Sequence, residues 1–333
     1  MRKVTLIEGD GIGPEITEAI CRIFEAAKVP IEWERENAGQ TTLAERGELI
    51  PESLIESITR NQVALKGPIT TPVGKGFKSI NVQLRKTFDL YQNVRPCKTT
   101  QGVDSKFDNV DIVLFRENIE GLYSGIEFYD DRLEMSDSIA RITKKGCERI
   151  VKAAFDYAQK YGRNKVTLVH KANILKGAGG LFLNAGKEIG ENYPDIVFDD
   201  KIIDNMCMQL VIKPEQFGVV VTTNLFGDIL SDLCAGLVGG LGVVAGANIG
   251  DDVAIFEAVH GSAPDIAGKG IANPTALLRS AVMMLYHIDL SEYAERIDAA
   301  LNNTLKNKID CTGDLGGNAN TEQFTQKIIE NLN

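Results

Sequence analysis

Histidine is scarce in this chain of 333 residues, which contains only three, at positions 170, 260 and 287. So few imidazoles cannot build a histidine-rich metal site. Any bound metal would therefore be held by oxygen atoms, the ligands that Mg²⁺ and Mn²⁺ prefer. The six cysteines are scattered and include no C-x-x-C pair, which excludes the usual zinc-binding spacing. This cysteine usage is typical of a reducing compartment, so we expect a cytoplasmic protein.

Long apolar runs and an excess of basic charge are also missing. No stretch approaches the roughly 20 apolar residues that span a bilayer, which argues against a membrane protein. The 36 Lys and Arg are outnumbered by 46 Asp and Glu, giving a net charge of −10, whereas a nucleic-acid-binding protein needs a basic face. No targeting segment is visible before the first strand-like run. We therefore expect neither a nucleic-acid nor a membrane partner.

Strand-like and helix-like runs alternate along the sequence, which predicts an α/β fold. With 333 residues, the chain exceeds the size at which one core usually keeps growing, so we expect two domains around a cleft. The predicted strands are Val4–Ile7, Val63–Leu65, Ile112–Phe115, Lys165–Val169 and Val219–Thr223. The predicted helices are Pro14–Ala27, Ile80–Phe88, Thr143–Tyr161, Asp228–Leu237, Thr275–His287, Ser291–Asn307 and Thr321–Leu332, the last with a capping pattern at Thr321.

The segment Gly9-Asp-Gly-Ile-Gly13 follows a strand and opens a helix, much as a dinucleotide-binding fingerprint does. The G-x-G-x-x-G spacing would need glycine at position 14, where Pro14 stands. Proline fits the first helical position, since its missing N–H costs nothing there. The sequence therefore predicts a two-domain α/β protein that is not a Rossmann fold.

Three arginines stand out in so acidic a chain: Arg85, Arg95 and Arg116. Each guanidinium is a planar fork suited to a carboxylate, and together they predict a polycarboxylate substrate. Asn81 shares a predicted helix face with Arg85, and Ser79 stands at the start of that helix. Taken alone, this segment is equally compatible with a capped surface helix carrying a solvated arginine. We expect Arg95 and Arg116 near strand ends, where α/β proteins place ligand contacts.

Asp228 and Asp232 lie four residues apart on a predicted helix that follows a buried strand. Like charges repel at this spacing, and a bound divalent cation would reverse the repulsion. Asp204 could supply a third oxygen. The alternative is that the helix dipole favours acids in the first turn, which explains Asp228 better than Asp232.

Lys171 comes just after the predicted strand Lys165–Val169. A lysine near a metal and arginines can have its pKa lowered toward neutrality and then transfer protons, although most lysines are merely solvated.

The glycine-rich segment 261–274 has the composition of a shaped binding loop. If Asp265 faces a ribose, it would repel a 2′-phosphate about 4 Å away by roughly 4 kcal/mol per charge, which selects NAD over NADP.

The chain resembles the isocitrate and 3-isopropylmalate dehydrogenase family of β-decarboxylating dehydrogenases across nearly its whole length. The resemblance rests on the segments Gly9-Asp-Gly-Ile-Gly-Pro-Glu15, Lys66-Gly-Pro-Ile-Thr-Thr-Pro72, Ser79-Ile-Asn-Val-x-x-Arg85, Asn93-Val-Arg-Pro96, Arg116-Glu-Asn118, Tyr123-Ser-Gly125, His170-Lys-Ala-Asn173, Asn224-Leu-Phe-Gly-Asp-x-x-Ser-Asp232 and His260-Gly-Ser-Ala-Pro-Asp265.

The resemblance implies a role for each candidate residue. Arg85, Arg95 and Arg116 would hold the α- and β-carboxylates of the substrate, and Ser79 and Asn81 its γ-carboxylate. Asp228 and Asp232, with Asp204 of the partner subunit, would ligate Mg²⁺ or Mn²⁺. Lys171 would be donated across the dimer interface, and Tyr123 would protonate the enol. The implied coenzyme contacts are Thr70, His260, Gly261, Asp265, Ile266 and Asn273.

The resemblance also implies the architecture and the reaction. Residues 1–98 and 247–333 would form a large domain, 99–246 a small domain, and the stretch Leu122–Ile142 part of a dimer clasp. The active unit would be a homodimer, or a tetramer of two such dimers. The reaction would be the oxidative decarboxylation of isocitrate with NAD, a step of the tricarboxylic acid cycle. Asp265-Ile266 and the segment Asp314-Leu-Gly-Gly317 resemble the NAD branch of the family.

Two rival functions stand beside this one. A 3-isopropylmalate or homoisocitrate dehydrogenase would share the fold and most motifs. Against an alkyl substituent, however, Ser79 and Asn81 would each be left unpaired at a cost of about 1–3 kcal/mol. A non-catalytic regulatory subunit would be expected to lose metal or proton-transfer residues, yet Tyr123, Lys171 and Asp228 are all present.

Overall fold

A computed structural model describes residues 1–71 and 79–332 of the chain. Pro72, the last residue of one family motif, lies outside these ranges. A ten-stranded mixed sheet forms the framework, with strands in the order β2-β1-β3-β12-β11-β4-β5-β10-β8-β9, and β6 and β7 form a separate two-stranded sheet. The strands are β1 Arg2–Ile7, β2 Ile31–Glu36, β3 Val63–Lys66, β4 Gln92–Lys98, β5 Asp111–Glu117, β6 Gly121–Asp130, β7 Met135–Arg141, β8 Lys165–His170, β9 Val197–Ile202, β10 Val219–Thr222, β11 Ala245–Ile249 and β12 Ala254–Ala258.

Helices alternate with these strands, which confirms the predicted α/β class. They are α1 Gly13–Ala26, α2 Gln40–Arg46, α3 Glu52–Asn61, α4 Ile80–Thr87, α5 Lys144–Lys160, α6 Lys176–Gly190, α7 Ile203–Ile212, α8 Asn224–Leu237, α9 Thr275–His287, α10 Ser291–Leu305 and α11 Thr321–Glu330. In the described part of the chain, no helix has the length and apolar character needed to cross a membrane.

Both faces of the sheet are buried near β3. Val63 and Leu65 belong to one hydrophobic cluster, and Ala64, between them, belongs to a second. Successive side chains of a strand point to opposite faces, so the two clusters lie on opposite sides of the sheet. This explains why β3 is a continuous apolar run rather than an alternating one.

Strand register brings a row of polar residues to the middle of the sheet. Lys66 on β3 lies opposite Glu257 on β12. Asn248 on β11 lies opposite Asn93 on β4, which in turn lies opposite Arg116 on β5. Paired residues on neighbouring strands share a face, so groups far apart in sequence meet there.

Two local predictions about helix starts can be compared with the structure. Pro14 was predicted to be the first helical residue, but α1 begins at Gly13 and Pro14 is its second residue, still within the first turn, where the missing N–H costs nothing. The capping pattern placed at Thr321 was wrong by one residue. Asn320 is the cap of α11, and its side chain accepts the Gln323 backbone N–H while the Gln323 side chain accepts that of Asn320. This is a reciprocal capping box.

The hairpin formed by β6 and β7 covers most of the predicted clasp, residues 122–142. Its large apolar side chains are exposed in the single chain, among them Phe128, Tyr129, Leu133 and Ile139. The division into a large and a small domain at residues 98/99 and 246/247 stays a prediction. The first of these points falls between β4 and β5, which pair antiparallel within the one sheet.

Candidate active site

Arg116 is the most enclosed cation of the site, with its side chain 1% exposed. It lies at the carboxyl end of β5, as predicted, and its Nε and Nη2 both donate to Asn224 Oδ1, at 3.0 and 2.8 Å. Nη1 forms an ion pair with Asp228 on α8. The hydroxyl of Tyr123 donates to the other oxygen of Asp228 at 2.6 Å, and the guanidinium lies 5.1 Å from the Tyr123 ring centroid. Three of the predicted residues are therefore in direct contact.

A glycine allows α8 to approach this arginine so closely. A Cβ atom built on Gly227 would lie 2.4 Å from Arg116 Cγ and 2.6 Å from Arg116 Cβ. Such distances are not found between real atoms, so any larger residue would push the helix or the arginine away. The glycine in the Asn224-Leu-Phe-Gly-Asp228 motif thus has a packing reason.

Arg95 lies beside the second helix carboxylate. Its Nη1 donates to Ser231 Oγ at 2.8 Å and pairs with Asp232 Oδ1 at 3.5 Å, and its Nε donates to Asn93 Oδ1 at 2.9 Å. The expected position near a strand end was wrong. Arg95 lies in the middle of β4 and reaches the site because that strand runs antiparallel to β5.

The three arginines are close enough to influence one another. Burial, followed by the positive charges of Arg85 and Arg95, lowers the pKa of Arg116 to about 10. Burial also lowers the pKa of Arg95, where Glu257 opposes the shift and Arg85 adds to it. Mutual repulsion of buried cations is the arrangement that a bound polyanion relieves.

Glu257 is a central residue that the sequence analysis did not single out. Its carboxylate, 8% exposed, pairs with Lys66 at 2.8 Å and with Arg85 at 3.4 Å. It also accepts a hydrogen bond of 2.7 Å from Asn248, whose own oxygen accepts from Asn93 at 2.9 Å. One acid within the buried strand Ala254–Ala258 was the available signal, but its partners depend on strand register.

Replacing Glu257 with glutamine is expected to lower the free energy of unfolding by about 3–5 kcal/mol, because two buried cations lose their carboxylate. Burial raises the pKa of Glu257, but Lys66 and Arg85 outweigh it and hold that pKa well below its usual range. A depressed pKa gives stability above the unfolded value of about 4.5 that is lost as pH falls through the folded value.

Urea unfolding of wild type and Glu257→Gln should therefore differ most near pH 7, and the difference should narrow on acidification below about pH 4.5. Glu322→Gln is the matched control, since its pairing with Arg22 is on the surface, where ion pairs contribute about 0–1 kcal/mol. Equal stability of the Glu257 variant and wild type at pH 7 would contradict this account of the network.

Helix α4 presents the predicted γ-carboxylate contacts. Ser79 is its N-cap, and the Ser79 side chain accepts the Val82 backbone N–H at 3.4 Å. Asn81 and Arg85 line a small space next to Lys66 and Glu257. Within the described residues, the Asn81 side-chain oxygen is buried and makes no hydrogen bond. The solvated-helix alternative does not hold for Arg85, whose side chain is 12% exposed.

Lys171 and Asp204 form a separate pair. Lys171 directly follows β8, as predicted, and forms an ion pair with Asp204 at the start of α7. That aspartate side chain is 70% exposed. Neither residue contacts Arg116 or Asp228 in any hydrogen bond or ion pair between described residues. Across 1–71 and 79–332, no group of three or more His, Cys, Asp or Glu side chains is arranged to hold a metal ion.

A cavity of about 750 Å³ lies beside the predicted coenzyme loop, and four of the predicted coenzyme contacts line it: His260, Gly261, Ile266 and Asn273. Asp265 is exposed and directly precedes Ile266. The cavity also takes lining residues that were not assigned a role: Ile12, Gly242, Ala263, Ile271, Gly313, Asp314, Asn318, Ala319 and Asn320. One of these lining residues, Asp314, begins the segment Asp314-Leu-Gly-Gly317. The resemblance of that segment to the NAD branch was the one sequence signal that could have identified part of the lining.

The remaining predicted coenzyme residue, Thr70, is not among the cavity lining but contacts the predicted coenzyme loop directly. Its hydroxyl is 2.6 Å from that of Ser262, and its backbone N–H donates to Asp10 at 2.9 Å. On the other side, Glu15 accepts the backbone N–H groups of Gly270 and Ala272 at 3.3 and 2.9 Å. Glu15 therefore holds the predicted coenzyme loop directly, whereas Asp10 acts on it only through Thr70.

Comparisons with known proteins show what the chain as a whole is similar to. The model of the isocitrate/isopropylmalate dehydrogenase family matches residues 3–331. The chain is 52% identical to the mitochondrial isocitrate dehydrogenase [NAD] subunit 2 of Schizosaccharomyces pombe, over 99% of this chain and 87% of that one. It is 51% identical to a mitochondrial isocitrate dehydrogenase [NAD] regulatory subunit of Dictyostelium discoideum, over 100% and 92%. The crystal structure of isocitrate dehydrogenase from Methylococcus capsulatus superposes with a TM-score of 0.96 at 51% identity, over 100% of this chain and 99% of that one.

Proposed function

The chain belongs to the isocitrate/isopropylmalate dehydrogenase family, and from this premise we propose that it oxidises and decarboxylates isocitrate to 2-oxoglutarate and CO₂ with reduction of NAD. The observation that carries the proposal is the pairing of Arg95 with Asp232 and of Arg116 with Asp228, beside the Tyr123 hydroxyl, with Arg85 near enough for its charge to lower the pKa of Arg116. Three guanidinium groups, of which Arg95 and Arg116 are buried, suit a substrate with several carboxylates, and the Tyr123 hydroxyl is a proton donor beside them.

The arginines would bind and orient the substrate. Arg95 and Arg116 are held by Asn93, Ser231 and Asn224, so their forks are fixed before a ligand arrives. Rigid placement lowers the entropy cost of reaching a reactive geometry. At the other end, Ser79 and Asn81 are polar groups suited to a γ-carboxylate rather than an alkyl chain.

Two residues would move the protons. Lys171 of the partner subunit, directly or through a relay, removes the C2 hydroxyl proton as the C2 hydride leaves. After the β-carboxylate departs as CO₂, Tyr123 returns a proton to C3. Burial, followed by the hydrogen bond to Asp228, raises the pKa of Tyr123, so its hydroxyl carries a proton at neutral pH.

The chemistry of the donor set fits a hard divalent cation. Asp228 and Asp232 are one turn apart on α8, and their side chains are 44% and 64% exposed. Asp232 pairs with Arg95 through one oxygen at 3.5 Å, whereas both oxygens of Asp228 already contact Arg116 and Tyr123 and would be shared with a metal. Because Asp204 is exposed, it is better suited to bind the metal in the partner subunit's site than a metal within its own chain. When bound, Mg²⁺ or Mn²⁺ would stabilise negative charge on the substrate oxygens as a Lewis acid.

The residues of the large cavity fit NAD, which accepts the hydride when bound. The cavity of about 750 Å³ is large enough for a dinucleotide portion and is lined by backbone and amide groups of His260, Gly261 and Asn273. Burial lowers the pKa of His260, so its ring is neutral and suited to stacking or hydrogen bonding rather than to binding a phosphate as a cation.

Coenzyme choice is expected to reverse when Asp265→Lys is combined with Ile266→Tyr. The exchange replaces repulsion of a 2′-phosphate, roughly 4 kcal/mol per charge at about 4 Å, with attraction. The ratio of kcat/KM for NAD over NADP should fall by about 10² or more, measured as absorbance of the reduced nicotinamide. Asp251→Lys, which adds the same charge outside the lining of the cavity, is the control. An unchanged ratio in the double variant would contradict the placement of the ribose at Asp265.

The same assay tests the proposed function against its rival. Purified protein with Mg²⁺ or Mn²⁺ and NAD should turn over isocitrate with a much higher kcat/KM than 3-isopropylmalate or homoisocitrate. Higher values for either rival substrate would contradict the assignment to isocitrate. No turnover of any of the three would favour a regulatory subunit.

We further propose a homodimer that shares its active sites, or a tetramer of two such dimers. The exposed apolar side chains of the β6–β7 hairpin support it, as does the separation of Lys171 and Asp204 from Tyr123 and Asp228. A cytoplasmic location is supported by the six free cysteines. The relatives named above carry mitochondrial names as subunits.

A further inference from the structure

A second cavity, of about 400 Å³, shares no lining residue with the coenzyme cavity. It is bounded by the end of β4 and the residues after it, the start of β11, and helices α9 and α10. Its floor includes apolar side chains of α9, namely Val282, Met283 and Tyr286. Neither the substrate arginines nor the candidate metal carboxylates line it.

Arg279 is the unusual residue of this cavity. Its Nη1 donates to the Val243 carbonyl at 3.0 Å and its Nη2 to Thr100 Oγ1 at 2.6 Å. Its Nε is buried without an acceptor among the described residues, and these also provide no carboxylate within ion-pair distance of the guanidinium. Arg85, Arg95 and Arg116, in contrast, each pair with an acid. A guanidinium has five N–H donors; two of those of Arg279 are used and Nε is enclosed, which leaves one N–H on each of Nη1 and Nη2 for a ligand.

The charged residues that line the cavity are mainly positive, although the protein as a whole has a net charge of −10. Lys98 and Lys306 line it together with Arg279, and Asp298 is the one acid of the lining. Asp298 already accepts a hydrogen bond of 2.9 Å from Asn302. Lys98 is 69% exposed, and its pairing with Asp111 is long, at 3.8 Å. The lining therefore carries two positive charges in excess.

We propose that this cavity is a binding site for a small phosphate monoester with an apolar body. A phosphate monoester carries about −1.5 to −2 charges at neutral pH, which matches the excess. Its oxygens suit the planar fork of Arg279 and the point charges of the two lysines. The α9 side chains Val282, Met283 and Tyr286 offer the apolar contact that the organic part needs.

Phenyl phosphate is the probe, since it combines a dianionic group with an apolar ring. Calorimetric titration of the full-length wild-type protein should show a saturable site. The Lys98→Ala/Lys306→Ala variant should bind at least about tenfold more weakly, because it removes both excess charges while leaving Arg279 and its packing in place. Lys327→Ala, which removes an exposed lysine of α11 outside the lining, should bind like wild type. Benzoate, with a single charge, should bind several-fold more weakly than phenyl phosphate.

The site itself is located by soaking crystals with phenyl phosphate, where density beside Arg279 is the expected result. No binding to wild type, an equal loss in the Lys327 variant, or density only elsewhere in the molecule would overturn the proposal. Benzoate binding as tightly as phenyl phosphate would overturn the choice of a phosphate. None of these measurements uses isocitrate turnover, so they fail or succeed independently of the proposed reaction.

Discussion

Tyr123→Phe is expected to lower kcat for isocitrate by about 10²–10⁴-fold, the usual contribution of a general acid. The variant removes one hydroxyl from a half-buried ring and keeps the ring over Arg116. Binding of the substrate carboxylates should persist, so KM should change little. Because burial and Asp228 raise the pKa of the phenol, wild-type kcat should not fall through ionisation of Tyr123 around neutral pH.

Steady-state formation of reduced nicotinamide measures the Tyr123 effect. Tyr161→Phe is the matched control, since Tyr161 is 47% exposed at the end of α5 and its ring lies beside Tyr157 and Lys160, which are not candidate site residues. A kcat within a few-fold of wild type for Tyr123→Phe would show that another group returns the proton. A proportional rise in KM with kcat unchanged would instead assign Tyr123 to binding.

Ser79→Glu should abolish measurable turnover of isocitrate. The new carboxylate would face the γ-carboxylate of the substrate, and two like charges about 4 Å apart repel by roughly 4 kcal/mol at an effective dielectric near 20. That penalty corresponds to a loss of about 10³ in kcat/KM. Arg85, further along the same helix, pairs with Glu257 and would also hold a substrate carboxylate, so it would offset little of the added charge.

Ser79→Gln separates charge from size. It removes the cap contact with the Val82 N–H just as the glutamate does, but it adds no charge. We expect kcat/KM to fall far less for glutamine than for glutamate. Similar losses of kcat/KM in both variants would mean that Ser79 acts by capping the helix and not by contacting the γ-carboxylate. Retained activity of Ser79→Glu would place Ser79 outside the site.

Local sequence patterns predicted those features of the fold that depend only on neighbouring residues, such as helix starts, helix faces and strand ends. Pro14 predicted the start of α1 to within one residue, and the spacing of Asp228 and Asp232 predicted that both lie on one helix face, as they do on α8. Arg116 was found at a strand end because a short apolar run precedes it. The cap of α11 was placed one residue late because Thr321 and Asn320 are both good capping residues.

The contacts that the sequence did not predict are those that depend on the order of the strands in the sheet. Glu257 meets Lys66 only because β12 lies beside β3, and Asn93 meets Asn248 only because β4 lies beside β11. No local rule specifies which strands become neighbours. Arg95 was misplaced for the same reason, since its access to α8 comes from the antiparallel pairing of β4 and β5.

The central claim is that each active site joins Tyr123 and Asp228 of one chain to Lys171 of the other. Co-expression of a Tyr123→Phe chain with a Lys171→Met chain, carrying different affinity tags, yields hybrid dimers that can be purified and assayed. Each parent homodimer should be nearly inactive. A hybrid should regain about half of wild-type activity, because one of its two sites then has both residues intact. A hybrid no more active than its parents would contradict the shared site.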